Sequence, residues 1–577
     1  MGIKLAETSG FCMGVKRAVD MVLDLAQHKG KETIYTYGPL IHNPQTIELL
    51  KKRGVTPIRD IEDIDAGEAG SILIIRAHGI SPQERKKIKE KGIRIIDATC
   101  PRVAHVQAII KKHAALDYTI LIIGDSDHPE VNGLLGYAYG NGIVVGSLEE
   151  VDALPPMEKI CVVAQTTQST EDFADIVDRI KEKFPQMVVF DTICDSTEKR
   201  QQDVKRLAVE MDAVFIVGGR NSANTKRLAT ISELQGKPTF HIETADELKN
   251  IPMDRYEKIG VSAGASTPNW IIERVVDSIT RRQSTGRGNI RTLFKMWVFS
   301  IQTDIYSAIG AGCLSYACML LQRLDVNPRH IFTTSLYVYA MHTLNRLIDR
   351  KTSTIIGSFR EELYRRHEKV YLFTALICVL MALMTAFLTG VNAFILLFLI
   401  SILGILYNTR LLPQTWRFQR LKDLPGSKNI SMATAWAVVA AVLPQIEIDV
   451  SITPGMVVAF LFTFGLVFLR SAMSDVLDIQ NDKFIGRETI PVLIGKERTQ
   501  ILLMGILVLL SILLVVSGTF GWTSSLSFAL LACGFFIWIY FMLYGRRSAF
   551  SGVVQEGILE TTYILAGLCS LVWFYFS

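Results

Sequence analysis

The sequence predicts two unlike halves: an α/β unit of three repeated modules around a pseudo-threefold axis at residues 1–282, and an all-α bundle of about nine membrane helices at 293–577. Three observations predict this. Lys, Arg, Asp and Glu are frequent up to residue 282, whereas the remainder carries apolar runs of 16 to 24 residues, long enough to cross a bilayer. Apolar strands such as SILIIRA, YTILIIG, KICVVAQ, AVFIVGG and KIGVSAG each end in a Gly, Ser, His or Thr turn and lead into a helical stretch, which is the alternation of a parallel sheet. Three cysteine turns recur 88 and 94 residues apart, the mark of an internal repeat. At 577 residues the chain also exceeds what one core can hold.

The repeat is read from the cysteines outward. Cys12 sits in GFCMGVKRAV, Cys100 in DATCPRVAHV and Cys194 in DTICDSTEKR, each where a strand-like run gives way to a helical one. Backbone N–H groups and the dipole at a helix N-terminus favour the thiolate, the form that a metal requires. His42 in YGPLIHNPQT, His128 in GDSDHPEVNG and Ser222 in GGRNSANTKR follow these cysteines at 30, 28 and 28 residues. His78 in IIRAHGIS, Thr166 in VVAQTTQS and Ser266 in VSAGASTP follow them at 66, 66 and 72. Each module is therefore a cysteine turn and two polar turns, all at the carboxyl ends of strands, where parallel sheets place ligands. Cys161 lies inside a strand and reads as core.

Three thiolates without close CxxC pairs fit a structural zinc site poorly, because such sites want four ligands. They suit a [4Fe-4S] cluster with one iron left open. The plain alternatives are three buried or helix-capping thiols, or a zinc-binding structural protein. MGIKLAETSG has no basic start followed by an apolar stretch, so no secretory leader is expected, and the myristoylation pattern is not met. The formal net charge of +5 is spread through loops and makes no case for nucleic acid.

The segments GFCMGVKRAV, YGPLIHNPQ, RAHGIS, DATCPRV, HPEVNG, AQTTQS, GRNSANTKRL and SAGASTP, in that order, resemble the 4-hydroxy-3-methylbut-2-enyl diphosphate reductase family. That family performs the last step of the methylerythritol phosphate isoprenoid pathway, and the resemblance covers residues 1–282. It implies that Cys12, Cys100 and Cys194 hold a [4Fe-4S] cluster, and that His42, His78 and His128, with Ser222, Asn224 and Ser266, surround the substrate diphosphate. It further implies that Thr166 faces the substrate hydroxyl, that Glu130 is the proton donor, and that ferredoxin or flavodoxin supplies electrons. Ala223 stands where relatives often carry a second Ser.

The stretch RRQSTGRGNIR, with Gly286 and Gly288 among arginines, reads as a flexible basic linker at 283–292. Nine spans follow, at 300–322, 331–348, 371–389, 391–407, 431–446, 454–474, 500–517, 522–544 and 553–576. If the first half is cytoplasmic, the loops on its side hold nearly all the Lys and Arg, and the opposite loops little beyond Arg323 and Arg329. The positive-inside rule then predicts a multi-pass cytoplasmic-membrane protein with residues 1–282 in the cytoplasm.

SDVLDIQNDKFIGRETIPVLIG places Asp475, Asp478 and Asp482 at i, i+3 and i+7, one stripe of a helix leaving the bilayer. Such carboxylates suit Mg²⁺ bridging to a phosphate substrate. HTLNRLIDRKTS supplies Asn345 and Asp349, with Ser353 at the next i+4 position. With YNTRLLP and KNISMATAW, these clusters resemble the intramembrane aromatic prenyltransferase superfamily typified by 4-hydroxybenzoate polyprenyltransferase. That resemblance implies a prenyl diphosphate held through Mg²⁺ by Asn345, Asp349, Asp475, Asp478 and Asp482; by their charge Arg410 and Lys428 are candidates for the diphosphate, the alternative being ordinary membrane-flanking anchors. Ser353 replaces an acidic residue of the family pattern. The expected whole is a reductase fused to a membrane prenyltransferase; the alternative is a membrane half that only anchors the reductase.

Overall fold

A computed structural model describes residues 2–28, 32–64, 71–283, 289–349, 359–409, 420–544 and 552–576. The chain divides into two compact units, Met1–Thr285 and Gly286–Ser577.

Among its described residues the first unit contains twelve strands, β1 (Gly2–Leu5), β2 (Ile34–Tyr37), β3 (Val55–Ile58), β4 (Ile72–Ile75), β5 (Arg94–Asp97), β6 (Thr119–Ile123), β7 (Gly142–Val145), β8 (Ile160–Ala164), β9 (Met187–Val189), β10 (Ala213–Val217), β11 (Thr239–Ile242) and β12 (Lys258–Ala263). They form three four-stranded sheets of order β5-β4-β2-β3, β9-β8-β6-β7 and β1-β12-β10-β11. Every pairing is parallel. Aligned this way, β5, β9 and β1 hold the same edge, so the first strand completes the module that the last strands build. A bond-level repeat supports the equivalence: the glycine after each module's first central strand donates to the end of its neighbour, Gly38 N to Ile58 O (2.8 Å), Gly124 N to Val145 O (3.0 Å) and Gly218 N to Ile242 O (2.9 Å).

The central strands ILII, ICVVA and AVFIV are buried at every residue, as strands covered on both faces require. Cys161 is fully buried among them. Helices follow the strand ends: α1 (Met13–His28), α2 (Pro44–Lys52), α3 (Pro82–Glu90), α4 (Pro101–Ala114), α5 (Pro129–Leu135), α6 (Leu148–Asp152), α7 (Thr170–Lys183), α8 (Asp195–Glu210), α9 (Ala223–Leu234) and α10 (Asn269–Gln283). Pro stands in the first turn of α2, α3, α4 and α5, where its missing N–H costs nothing.

Among its described residues the second unit is built of helices: α11 (Asn289–Gln302), α12 (Ile305–Leu321), α13 (Pro328–Asp349), α14 (Phe359–Arg366), α15 (Glu368–Thr389), α16 (Val391–Asn408), α17 (Ser427–Ala437), α18 (Leu443–Ile448), α19 (Pro454–Leu477), α20 (Ile479–Ile485), α21 (Ile490–Ile494), α22 (Lys496–Thr519), α23 (Leu526–Ala529), α24 (Leu531–Tyr544) and α25 (Gly552–Phe576). A π-turn at Val438–Val442 joins α17 to α18.

Among the described residues, seven helices are long and apolar enough to cross a membrane, or eight if α11 and α12, bent by 81° at Thr303–Asp304, count as one broken span. The expected nine are therefore not all matched. The expected span at 331–348 falls on α13, a 22-residue helix too polar to qualify. Its polar groups are spent inside the bundle: His330 pairs with Glu447, Thr333 Oγ1 meets Thr385 Oγ1 at 2.8 Å, and Thr334 Oγ1 donates to Val439 O at 3.3 Å. Intramembrane polar groups that face protein rather than lipid behave this way. Trp436, Phe462, Leu466 and Tyr563 lie in the core these helices enclose.

Candidate active sites

Cys12 directly precedes α1, while Cys100 and Cys194 are the N-cap residues of α4 and α8. The backbone N–H of each donates to a carbonyl at the second polar turn of the repeat before it in cyclic order, the turn that shares its sheet: Cys12 to Ala265 O (3.2 Å), Cys100 to Ala77 O (2.9 Å) and Cys194 to Thr166 O (3.0 Å). All three thiols are free. Burial holds the Cys100 thiol above its usual value, against backbone N–H groups of Arg102 and Val103 and with the charges of Cys12 and Cys194 adding to the rise.

The three sulfurs do not all lie within 4.8 Å of one another. One zinc ion with Zn–S bonds of about 2.3 Å would need every pair closer than about 4.6 Å. Three spaced thiols fit a multi-iron group, each iron taking one sulfur. Cys100 packs closely on the start of α1: a Cβ added at Gly14 would stand 2.5 Å from Cys100 Sγ.

The first polar turns carry His42 before the α2 N-cap Asn43, His128 as the N-cap of α5 and Ser222 as the N-cap of α9. With His78 beyond β4, the three imidazoles form a near-equilateral triangle, with ring centroids at 5.0 Å (His42–His78), 5.4 Å (His78–His128) and 6.0 Å (His42–His128). His128 Nδ1 accepts from Glu130 N at 3.2 Å, which leaves the neutral ring's proton on Nε2 as a donor. His42 Nε2, His78 Nδ1 and Asn224 Nδ2 are buried without a hydrogen-bond partner among the described residues. Ser266 Oγ donates to His42 O (3.4 Å) and reaches Ser222 Oγ (3.5 Å), tying the third module's turns to the first's.

Burial is the largest cause holding all three rings below their usual value, His128 at about 4 and His78 well below. Arg76 adds to the depression at each, and His42 and His128 depress His78 further. The unfolded rings, at about 6.5, bind protons that the folded ones refuse, so stability is expected to fall as pH drops from about 6.5 toward 4. Inorganic diphosphate, which favours charged rings, is expected to blunt that loss. Thermal midpoints of the full-length protein at pH 7.5 and 5, with and without diphosphate, check this.

Glu130 is 2 % exposed. Thr166 clasps it twice, N to Oε1 at 2.7 Å and Oγ1 to Oε2 at 2.9 Å. Burial nonetheless lifts its carboxyl above the ordinary range, toward an acid that can hold its proton. Thr166 O accepts from Cys194 N, so one turn touches both the acid and a thiol-bearing residue.

Sequence reasoning missed three arginines in this unit. Arg76 faces the histidines electrostatically, and Arg227 donates to Thr167 O (3.0 Å) and Asp125 Oδ1 (2.7 Å). Buried Arg200 donates to Ala263 O (3.0 Å) and to Gly10 O, bracing the turns beside Ser266 and Cys12. Only their nearness to the motifs could have marked them.

In the second unit the aspartate stripe does not stay on one helix. α19 ends at Leu477, Asp478 caps it, and Asp482 lies on α20, although Asp482 N still donates to Asp478 O at 2.9 Å. Asp475 and Asp482 are buried. Asp475 accepts from Lys428 Nζ (3.4 Å) and Asn429 Nδ2 (2.8 Å), and Asn429 is held in turn by Ser471 Oγ (2.8 Å). Asp482 Oδ2 is buried without a hydrogen-bond partner among the described residues. Burial, then the neighbouring aspartates, lifts the carboxyls of Asp478 to about 7 and Asp482 to about 6. A crowded acid set with an orphaned buried oxygen fits a divalent cation. Asn345 Oδ1 accepts from Asn408 Nδ2 at 3.0 Å, a partner the motif did not indicate. Asp349 ends α13. Ser353, Arg410 and the side chain of Asp349 lie outside the described residues.

A three-module parallel α/β scaffold converging three free thiols on a histidine-lined turn cluster, followed by a bundle of membrane-length helices with an aspartate cluster, defines a two-part membrane protein. The chain belongs to the LytB protein family through residues 3–280 and carries a UbiA prenyltransferase family domain at residues 313–551. It is 42% identical over 283 residues to 4-hydroxy-3-methylbut-2-enyl diphosphate reductase of Opitutus terrae, covering 48% of this chain and 98% of that one. To the enzyme of the same name from Geobacter sulfurreducens it is 44% identical over 289 residues, 50% of this chain and 100% of that one. Among solved structures it is similar to the Plasmodium falciparum E-1-hydroxy-2-methyl-but-2-enyl-4-diphosphate reductase, at 33% identity and TM-score 0.46, covering 48% of this chain and 87% of that one. A UbiA homolog from Archaeoglobus fulgidus bound to DMAPP and Mg²⁺ matches at 15% identity and TM-score 0.35, covering 48% of this chain and 99% of that one.

Proposed function

We propose that residues 1–282 reduce (E)-4-hydroxy-3-methylbut-2-enyl diphosphate to isopentenyl and dimethylallyl diphosphate, and that the membrane unit transfers a prenyl group from a prenyl diphosphate. The observation that carries the first reading is Glu130, a buried acid clasped by Thr166 in the turn that also binds the Cys194 backbone. Cys12, Cys100 and Cys194 would hold a [4Fe-4S] cluster, which when bound supplies electrons one at a time. His42, His78 and His128 offer neutral N–H donors to the diphosphate, joined by Ser222, Asn224 and Ser266. Thr166 orients the substrate hydroxyl, and Glu130 delivers the proton that lets it leave as water. Ferredoxin or flavodoxin is the electron donor, and residues 1–282 face the cytoplasm.

In the membrane unit Asn345, Asp349, Asp475, Asp478 and Asp482 would hold Mg²⁺, which when bound neutralises the departing diphosphate. Lys428, within reach of Asp475, adds a cation beside it. The competing reading is a non-catalytic anchor, and Ser353 in place of an acid is what favours it.

Anaerobic assay of the detergent-solubilised full chain with a one-electron donor tests the first half. Glu130→Gln is expected to lower its turnover about 10²-fold while substrate affinity changes little, since a proton donor acts in the transition state. The glutamine avoids burying a carboxylate, so the variant is also expected to match or exceed native stability above about pH 4.5, the side on which native Glu130 ionises at a cost. Full activity in Glu130→Gln would remove Glu130 from the proton path.

A further inference from the structure

Resting on the prenyl-transfer reading, we propose that His342, oriented by Asp304, is the general base that takes the proton from a hydroxyl-bearing acceptor. His342 lies on α13 three residues before Asn345 and seven before Asp349, so by helical register it sits about one turn deeper on the same face. Its Nδ1 stands 3.8 Å from Asp304 Oδ1, a separation of the kind that tightens when a substrate binds. Its Nε2 is buried and has no hydrogen-bond partner among the described residues.

Asp304 is built to orient that ring. It is 1 % exposed and adopts a left-handed backbone, φ 60°, at the bend between α11 and α12. Arg346 Nε and Nη2 grip its two oxygens at 2.7 and 2.8 Å, and Tyr364 OH donates to it at 2.7 Å. A carboxylate fixed on three sides presents one oxygen to one imidazole nitrogen, which leaves the other nitrogen to accept a proton. Among the described residues Asp304 faces this ring, Arg346 and Tyr364 hold Asp304, and Arg360 pairs with Glu556.

The floor of the site is aromatic. His342 lies 5.5 Å from the Trp436 ring, and Trp436 lies 5.2 Å from the Tyr563 ring, whose OH is likewise buried without a partner among the described residues. Trp436 is seven residues beyond Asn429, the residue that binds Asp475, and so shares its helical face. Two orphaned polar atoms around one indole, next to the aspartate-bearing segments, suit a planar or apolar acceptor that carries a single hydroxyl.

In the transfer, the donor C1–O bond breaks with its electron pair leaving on diphosphate, an oxygen lone pair of the acceptor forms the new C–O bond, and the O–H proton passes to His342 Nε2. The imidazolium then releases that proton to solvent.

The test uses the detergent-solubilised full chain with Mg²⁺, five- and ten-carbon prenyl diphosphates, and phenol or dioleoylglycerol as acceptor. In His342→Ala, ether formation is expected to fall about 10²- to 10³-fold, while calorimetric binding of the donor with Mg²⁺ stays near native. Added imidazole is expected to restore part of the rate, which no packing role predicts. His342→Gln, which preserves bulk and polarity, is expected to be as slow as His342→Ala. A native chain that transfers, alongside a His342→Ala chain that transfers equally well or is not rescued by imidazole, overturns this inference alone. A native chain that forms no ether from any of these pairs overturns this inference, and a native chain that neither binds nor consumes any donor overturns the prenyl-transfer reading beneath it.

Discussion

Cys100→Ala is expected to yield a folded, full-length protein that is colourless, lacks iron and sulfide above background, and has no reductase turnover. The backbone argues for survival of the fold: the N–H of residue 100 keeps its bond to Ala77 O, and Pro101 still opens α4. The cysteine sulfur makes no strong capping bond, only weak contacts with the N–H groups of Arg102 and Val103, so removing it costs α4 little at its N-terminus. What is lost is one of three thiols that only together suit a cluster. Gly14→Ala separates thiol count from thiol spacing. It keeps every cysteine but sets a methyl 2.5 Å from the Cys100 sulfur, so cluster content is expected to drop sharply. Native iron content in Gly14→Ala would mean that Cys100 has room to shift. A brown Cys100→Ala protein would remove Cys100 from the ligand set.

The residues that both prove legible and come together in space are those at strand ends. A buried parallel strand announces itself by an unbroken Ile and Val run, and its carboxyl end by the polar residue that stops it; Cys100, His78 and Thr166 are visible for that reason. The repeat spacing also makes the threefold arrangement of modules legible, but not the strand that completes the third sheet, because nothing in GIKL says that β1 pairs with β12 near residue 260. Arg76 and Arg200 are equally silent, since a lone arginine after a strand or inside a helix has no local signature. The membrane unit resists in another way. Hydropathy measures affinity for lipid, and α13 faces protein, so the helix carrying His342 and Asn345 does not count as an ordinary span. The stripe Asp475, Asp478 and Asp482 is legible as a cluster, but the break at Asp478 is not, because it follows from packing and not from a Gly or Pro in the sequence.

Asp475→Asn is expected to abolish Mg²⁺-dependent prenyl transfer, by about 10²-fold or more, while leaving reductase turnover in the same sample untouched. Asparagine is the informative choice. Asp475→Ala would leave Lys428 and Asn429 without the acceptor that both use, at a cost of about 1–3 kcal/mol for the buried Asn429 amide, and lost activity could then be lost structure. The amide in Asp475→Asn retains an oxygen for the buried Asn429 and removes the charge that a cation would answer, at the loss of the acceptor used by the half-exposed Lys428. EDTA added to the native protein should reproduce the loss, and excess Mg²⁺ should reverse it. The result also decides between the two readings of the membrane half. An anchor has no use for a buried carboxylate whose neighbours Asp478 and Asp482 are pushed toward neutrality by burial and by nearby carboxylates, Asp475 among them, so unchanged lipid association and unchanged chemistry in Asp475→Asn would favour the anchor and leave Ser353 as its sequence cause. Loss of transfer with the reductase intact would instead mean that the cluster tolerates a serine at that position, with Asp475 and Asp482 supplying the charge that the missing acid does not.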